Sequence, residues 1–337
     1  MRQKKSTKKR FHKLLTRHQK NKSLKSWTQK FYGYTDEKLH WVQVVLRLQT
    51  SIILSIIPWI FFFSAYGFLV SLLEYHEAHI PLPKIGAGVP NIVLSFNLIL
   101  SLLLIFRTNT AYERFWEGRK LWGSLVNTVR NLTRGNWIVI KECSVTNRTE
   151  KEAASRLVVA FAIATKLHLR RELVNEELMP LMSSFQYVKL KNTNHPPLEI
   201  AFWLGEYLQY QHERNLLNVY QLTALQKLVD DLVDILGGCE RILKTPMPLA
   251  YAIYLKQLLV VYCLILPVEL VSSLNWWTAP VMAFISLILF GIEEIGSELE
   301  NPFGHDPNDL PLDIMCNTML RNVKDLVPAA TTINSFY

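Results

Sequence analysis

Residues 89–123 constrain this chain more than any other segment. The run Leu98-Ile99-Leu100-Ser101-Leu102-Leu103-Leu104-Ile105-Phe106 is almost wholly apolar. Arg107-Thr108-Asn109-Thr110-Ala111-Tyr112-Glu113-Arg114-Phe115-Trp116-Glu117-Gly118-Arg119 follows it directly, with no Gly or Pro at the junction. A helix leaving a bilayer must change solvent within one or two turns. The pattern therefore predicts one continuous helix that crosses a membrane and runs on into water. A simple lipid anchor needs no such extension, whereas a channel or transporter with a stalk does.

Of 337 residues, 50% are apolar, which suits a chain partly in lipid and partly in water. The net charge of +9 favours an anionic leaflet or an anionic solute. The basic residues are not interleaved with a recognisable nucleic-acid motif, so nucleic acid is not an expected partner. Cys143, Cys239, Cys263 and Cys316 lie far apart and read as reduced, packed thiols.

Residues 1–30 hold twelve Lys and Arg and no Asp or Glu, and read as a basic cytosolic arm. Residues 31–337 read as one unit. Four spans are expected, at about 45–73, 90–106, 249–271 and 278–292, each near the length a bilayer needs. Pro58 lies inside the first, and Pro90 opens the second. The short connections after the first and third spans carry little positive charge and read as external. The arm, the region 107–247 and the C-terminal tail 301–337 then face the cytoplasm, with both termini inside.

The region 107–247 reads as helical. Leu222, Leu225, Leu228, Val229, Leu232, Ile235 and Leu236 recur at helical spacing, and Gly237-Gly238 is expected to end that helix. The apolar run 157–164 is too short to span and reads as the buried face of a soluble helix. Residues 192–197 read as a surface loop.

Candidate chemistry is sparse. His76-Glu77-Ala78-His79 places its histidines three apart, not the four of a zinc-protease helix. Glu293, Glu294, Glu298 and Glu300 follow the fourth span. They are expected to pair with Arg107, Arg114 or Arg119, or else to form an ion-binding ring. In the loop 301–313, Asp306 and Asp309 either cap turns and the following helix or offer oxygens to a hard cation.

Two separated motifs, residues 106–119 above and Glu300-Asn301-Pro302-Phe303-Gly304, resemble the signatures of the bestrophin family. The resemblance extends over about residues 25–325 and is nearer to the bacterial and plant-like branch. It implies an all-α integral membrane protein: four transmembrane helices extended into a cytosolic helical bundle, assembled as a pentameric channel. The host would be a bacterial inner membrane or a plastid-type membrane, and the partners are other copies, lipid and inorganic anions. In the family, side chains of the second helix form a narrow neck. Counting back from Arg107 gives Asn91, Ser95 and Ile99, whereas a shift of one gives Ile92, Phe96 and Leu100. A second constriction falls near Tyr220.

The same resemblance puts Asp306, Asp309 and Asn301 where some members grip calcium. His305, Pro307 and Asn308 lower the local negative charge, so weak or absent calcium binding is expected and no cofactor is required. The function implied is passive conduction of chloride-like anions. The alternatives are a cation-selective channel of the same type, or a membrane-embedded enzyme using His305, Asp306 and Asp309.

Overall fold

The computed structural model describes residues 52–76 and 89–333. The basic arm, residues 45–51 of the first expected span, and Glu77 to His79 lie outside them. Two compact units divide the chain, Met1–Ile57 and Pro58–Tyr337. Of the first, residues 52–57 are described, and they open helix α1 (Ile53–Tyr75).

The second unit continues α1 and adds α2 (Val89–Val139), α3 (Val145–Leu169), α4 (Ser184–Lys191), α5 (Pro196–Glu213), α6 (Val219–Lys244), α7 (Leu249–Leu274), α8 (Thr278–Leu299) and α9 (Leu312–Ile333). No strand occurs among the described residues, so the fold is all-α there. Among the described residues, three helical stretches are long and apolar enough to cross a membrane: Ile53–Tyr75, Val93–Val139 and Leu249–Leu299. The third contains both α7 and α8, so the third and fourth expected spans fall within it.

Helix α2 is unbroken over 51 residues. At 1.5 Å per residue that is about 75 Å, against about 30 Å of bilayer hydrocarbon. Its far end is closed by a buried lysine: Lys151 Nζ donates to the carbonyls of Trp137 and Ile140, each at 3.0 Å. Those oxygens have no partner within the helix, so the ammonium satisfies them.

Helices α7 and α8 pack on each other and on α2. Between them Asn275 adopts φ 48° and ψ −120°, a positive-φ conformation that residues with side chains rarely adopt. Its carbonyl accepts from Ser71 Oγ on α1 at 2.9 Å and from Thr278 Oγ1 at 2.7 Å. Trp59 and Phe63 of α1 stack on Phe290 of α8, with ring centroids 5.4 and 5.6 Å apart.

The extramembrane bundle forms around α3. Residues 157–164 are buried without exception, so the helix is enclosed on every side and does not merely present one apolar face. Helices α2, α5, α6 and α9 surround it. Lys166, fully buried on α3, reaches Glu177 at 2.6 Å and Asp313 at 2.9 Å. Burial pulls its pKa down, but those two bonds outweigh it and hold the ammonium above its ordinary value.

Three expectations need correction. Gly237-Gly238 does not end α6, which continues to Lys244. A Cβ on Gly238 would lie 3.0 Å from Leu121 Cδ2, so this glycine admits close approach of α2. The segment 301–337 is not merely a tail, because α9 buries Leu312, Cys316, Met319 and Val323 against α2 and α3. Cys143 is exposed, whereas the other three thiols are buried.

Candidate functional site

Helix α2 has two unlike faces in its apolar half. Phe96, Leu100, Leu104, Arg107 and Ala111 form a ridge at helical spacing, and all but Phe96 are buried. Phe96 stacks on Tyr262 of α7, with centroids 5.7 Å apart. Tyr251 of α7 donates through its hydroxyl to the carbonyl of Leu103 at 2.8 Å. On the other side Ser95 and Ile99 are exposed in the single chain, Ile99 at 56% against 0% for Leu100. The side chain of Asn91 lies outside the described residues. Of the two registers, the one through Phe96 and Leu100 is therefore occupied by packing within the subunit, and the one through Ser95 and Ile99 faces outward.

Where the apolar half of α2 ends, Arg107 Nη2 meets Glu293 Oε1 of α8 at 3.2 Å, both side chains buried. Lys256 Nζ of α7 stands 3.6 Å from the same oxygen. Gly296 makes room for the arginine, since a Cβ there would lie 3.3 Å from Arg107 Nε. Among the described residues the Arg107 guanidinium has no acceptor for Nε and Nη1. The contact is thus a charge pair more than an aligned hydrogen bond. Of the glutamates near this end of α8, Glu293 pairs as expected with an arginine. Glu300 instead accepts from the Met247 backbone N–H at 2.8 Å.

Arg114 gathers three helix-end carbonyls: Glu300 at 3.2 Å, Ile242 at 2.6 Å and Thr245. It thereby ties the C-terminal ends of α6 and α8 to α2. One turn on, a Cβ at Gly118 would lie 3.1 Å from Pro302 and 3.2 Å from the buried Phe303 ring. The two sequence motifs are therefore the two sides of one joint, with Pro302 and Phe303 seated where α2 lacks a side chain.

The profile of the bacterial and fungal bestrophins matches residues 34–325. The chain belongs to the bestrophin family. It is 53% identical over 301 residues to a voltage-dependent anion channel-forming protein of Nostoc sp., covering 89% of this chain and 96% of that one. A protein of the same description from Synechocystis sp. is 51% identical over 287 residues, covering 85% and 92%. A crystal structure of a bacterial bestrophin homologue from Klebsiella pneumoniae superposes with a TM-score of 0.71 at 27% identity, covering 80% of this chain and 98% of that one.

In this bestrophin the loop after Pro302-Phe303-Gly304 folds back on itself. Leu310 N donates to the Pro302 carbonyl at 2.9 Å, and Asp309 Oδ2 accepts from Asp306 N at 2.7 Å. Asp309 is buried, whereas Asn301, His305 and Asp306 are exposed. His305 Nε2 pairs with Glu172 Oε1 at 2.6 Å. His305, Asp306 and Asp309 therefore do not converge as a catalytic group: one is engaged elsewhere and one is turned into its own loop. Gly304 lies against that carboxylate, a Cβ there falling 2.6 Å from Oδ2.

Burial raises the Asp309 pKa from the ordinary 3.8 to about 6, more than the Asp306 N–H bond lowers it. A carboxylate raised on folding stabilises the fold when protonated. That share is fully present below about 3.8 and is lost as pH rises through about 6. Asp309→Asn keeps an acceptor for Asp306 N–H without the charge. Its melting temperature, compared with the parent chain in detergent, is expected to gain steadily between about pH 4 and pH 6 and then level off. A constant difference across that range would contradict the assignment.

Tyr220 sits in the first turn of α6 and is 85% exposed. A cluster that the sequence reading missed lies elsewhere in the bundle, where His168, His195 and Glu240 meet. Nothing in their spacing marks them, because they come from three helices.

Proposed function

We propose that the chain is one subunit of a homopentameric anion channel, with α2 lining the pore. The observation that carries this is the split face of α2. Its Phe96–Leu100 ridge is spent on packing inside the subunit. That leaves the exposed side, Leu94, Leu98, Ile99 and Leu102 among it, to be shared between lipid and a common axis, and the count from Arg107 assigns Ser95 and Ile99 to the axis. The relatives from Nostoc and Synechocystis bear the description anion channel-forming. Five copies around an axis would turn one polar position, Ser95, and one apolar position, Ile99, into rings, with Asn91 a turn further out. Apolar rings resist wetting and pass weakly hydrated anions more readily than small hydrated ions. Tyr220, exposed at the start of α6, is read as the second constriction.

In this reading α7 and α8 cross the bilayer separately, which makes four spans with α1 and α2 and places both termini on the cytoplasmic side. The decisive experiment is a planar-bilayer recording of purified protein in asymmetric potassium chloride. A reversal potential on the chloride side supports the proposal, and one on the potassium side establishes the cation-selective alternative. Mass measurement in mild detergent tests the pentamer. The cation reading drew on the glutamates that follow the fourth span. Glu293 is now accounted for by Arg107 and Glu300 by Met247, which leaves that reading weaker support.

Ile99→Ala is expected to widen the neck and raise single-channel conductance, while Leu100→Ala acts on stability instead. The ring repeats each change five-fold, so a small cavity per subunit becomes a large change in the narrowest section. Equal currents from wild type and Ile99→Ala would remove Ile99 from the neck.

Asp306 and Asp309 are read as loop caps and not as a calcium clasp, because Asp309 already spends Oδ2 on the Asp306 N–H. Titration calorimetry is expected to find no saturable calcium binding at micromolar levels. Tight binding abolished by Asp306→Ala would reverse that reading.

A further inference from the structure

Three helices of the bundle bring two imidazoles to one carboxylate oxygen. His168 lies in the last turn of α3, His195 is the N-cap residue of α5, and Glu240 lies near the C-terminal end of α6. His168 Nε2 is 2.6 Å from Glu240 Oε1, and His195 Nε2 is 2.7 Å from the same atom. The imidazole centroids are 4.5 Å apart, and the three donor atoms all lie within 4.8 Å of one another. All three residues are half-buried. Beside them is a cavity of about 150 Å³, lined by His168, Arg171, Glu172, Asn194 and Pro196 among others.

We propose that His168, His195 and Glu240 form a binding site for a divalent transition-metal ion of zinc-like chemistry, which pins α3, α5 and α6 together. Two imidazole nitrogens and one carboxylate oxygen make a three-ligand set, and a water would complete the tetrahedron. Nitrogen donors select such an ion over calcium or magnesium, which take oxygen. In a tetrahedral zinc site, bonds of about 2.0–2.1 Å put donor atoms about 3.3 Å apart. Glu240 Oε1 would therefore withdraw by less than about 1 Å, a small rotation of an unbranched side chain.

Lys244 Nζ holds the other oxygen, Oε2, at 2.8 Å, which leaves Oε1 to bind singly and orients it from outside the site. Burial raises the Glu240 pKa, but the Lys244, His195 and His168 bonds outweigh it and hold it at about 2, so the carboxylate is ionised and ready to bind at neutral pH. One cost is explicit. With an ion on Nε2, the ring proton of His195 sits on Nδ1, which gives up the 3.4 Å bond it accepts from Leu198 N. That is a long contact, and the loss is small beside two metal–nitrogen bonds.

The test uses tag-free, full-length protein in detergent, stripped with a chelator and titrated with zinc chloride by calorimetry and elemental analysis. The expected result is one saturable zinc per chain, and cobalt(II) giving the visible absorption of a four-coordinate nitrogen–oxygen site. His168→Gln, His195→Gln and Glu240→Gln should each weaken zinc by more than about tenfold. Should a variant misassemble, the wild type alone still decides. Absence of saturable zinc binding by wild type overturns the proposal and leaves a hydrogen-bonded clasp. Undiminished binding by well-assembled variants overturns it equally.

Discussion

Glu293→Ala is expected to destabilise the assembled protein by about 3–5 kcal/mol, because it strands a buried guanidinium. Arg107 Nη2 has Glu293 Oε1 at 3.2 Å, and its Nε and Nη1 have no acceptor to fall back on. Lys256 then sharpens the loss, since without the carboxylate two cations face each other across the space it occupied. The converse change, Arg107→Met, should cost less, because Lys256 still neutralises Glu293. Arg107→Met with Glu293→Leu should recover most of the stability, as apolar replacement of a buried pair is often neutral or better. Thermal unfolding in detergent, followed by intrinsic fluorescence, measures all three. Strict additivity of the two single changes would show that the pair is not coupled.

Trp122→Ala should cost about 3–5 kcal/mol through the cavity it leaves. The indole is 0% exposed in the core that α2 shares with α3, α6 and α9. Its Nε1 has no acceptor among the described residues, so the hydrogen-bonding atom contributes nothing there. Trp122→Phe keeps most of the ring and removes that unsatisfied donor, and should cost less than about 1.5 kcal/mol. Denaturant midpoints of the two variants, read against wild type, test the contrast. A loss for phenylalanine close to that for alanine would show that the indole nitrogen, which both variants lack, has a partner. Selectivity of whatever assembles should be unchanged, because Trp122 is buried in the bundle and lies far beyond the Ser95–Ile99 face.

Much of the fold was legible in residues alone. The continuity of α2 followed from the missing Gly and Pro between Leu98 and Glu117, and the structure carries the helix from Val89 to Val139. Of the periodic run in α6, Leu222, Leu225, Val229, Leu232, Ile235 and Leu236 are buried, and Leu228 is half-buried. The pairing of a late glutamate with one of Arg107, Arg114 and Arg119 was expected from charge near lipid, and the structure selects Arg107. The role of Gly237-Gly238 was not legible, because a glycine that admits a neighbouring helix and one that ends a helix read alike in one dimension. A helix after the loop 301–313 was expected, but its burial in the bundle was not: the apolar positions 312, 316, 319 and 323 form a stripe whose partner the sequence does not name.

The sequence by itself determined which segments are helices, which of them suit lipid, and where charge enters, because these depend on solvent preference along a local stretch of chain. The tertiary structure alone decided which face of α2 is spent inside the subunit. In an apolar stretch every side chain prefers to leave water, so no periodicity marks the packed side. The choice comes from Phe96 meeting Tyr262 and from Arg107 meeting Glu293, partners more than 150 positions away. The same holds for the meeting of His168, His195 and Glu240. Each is a contact between residues brought together by helix packing, and the energy that selects it exists only once the helices are in place.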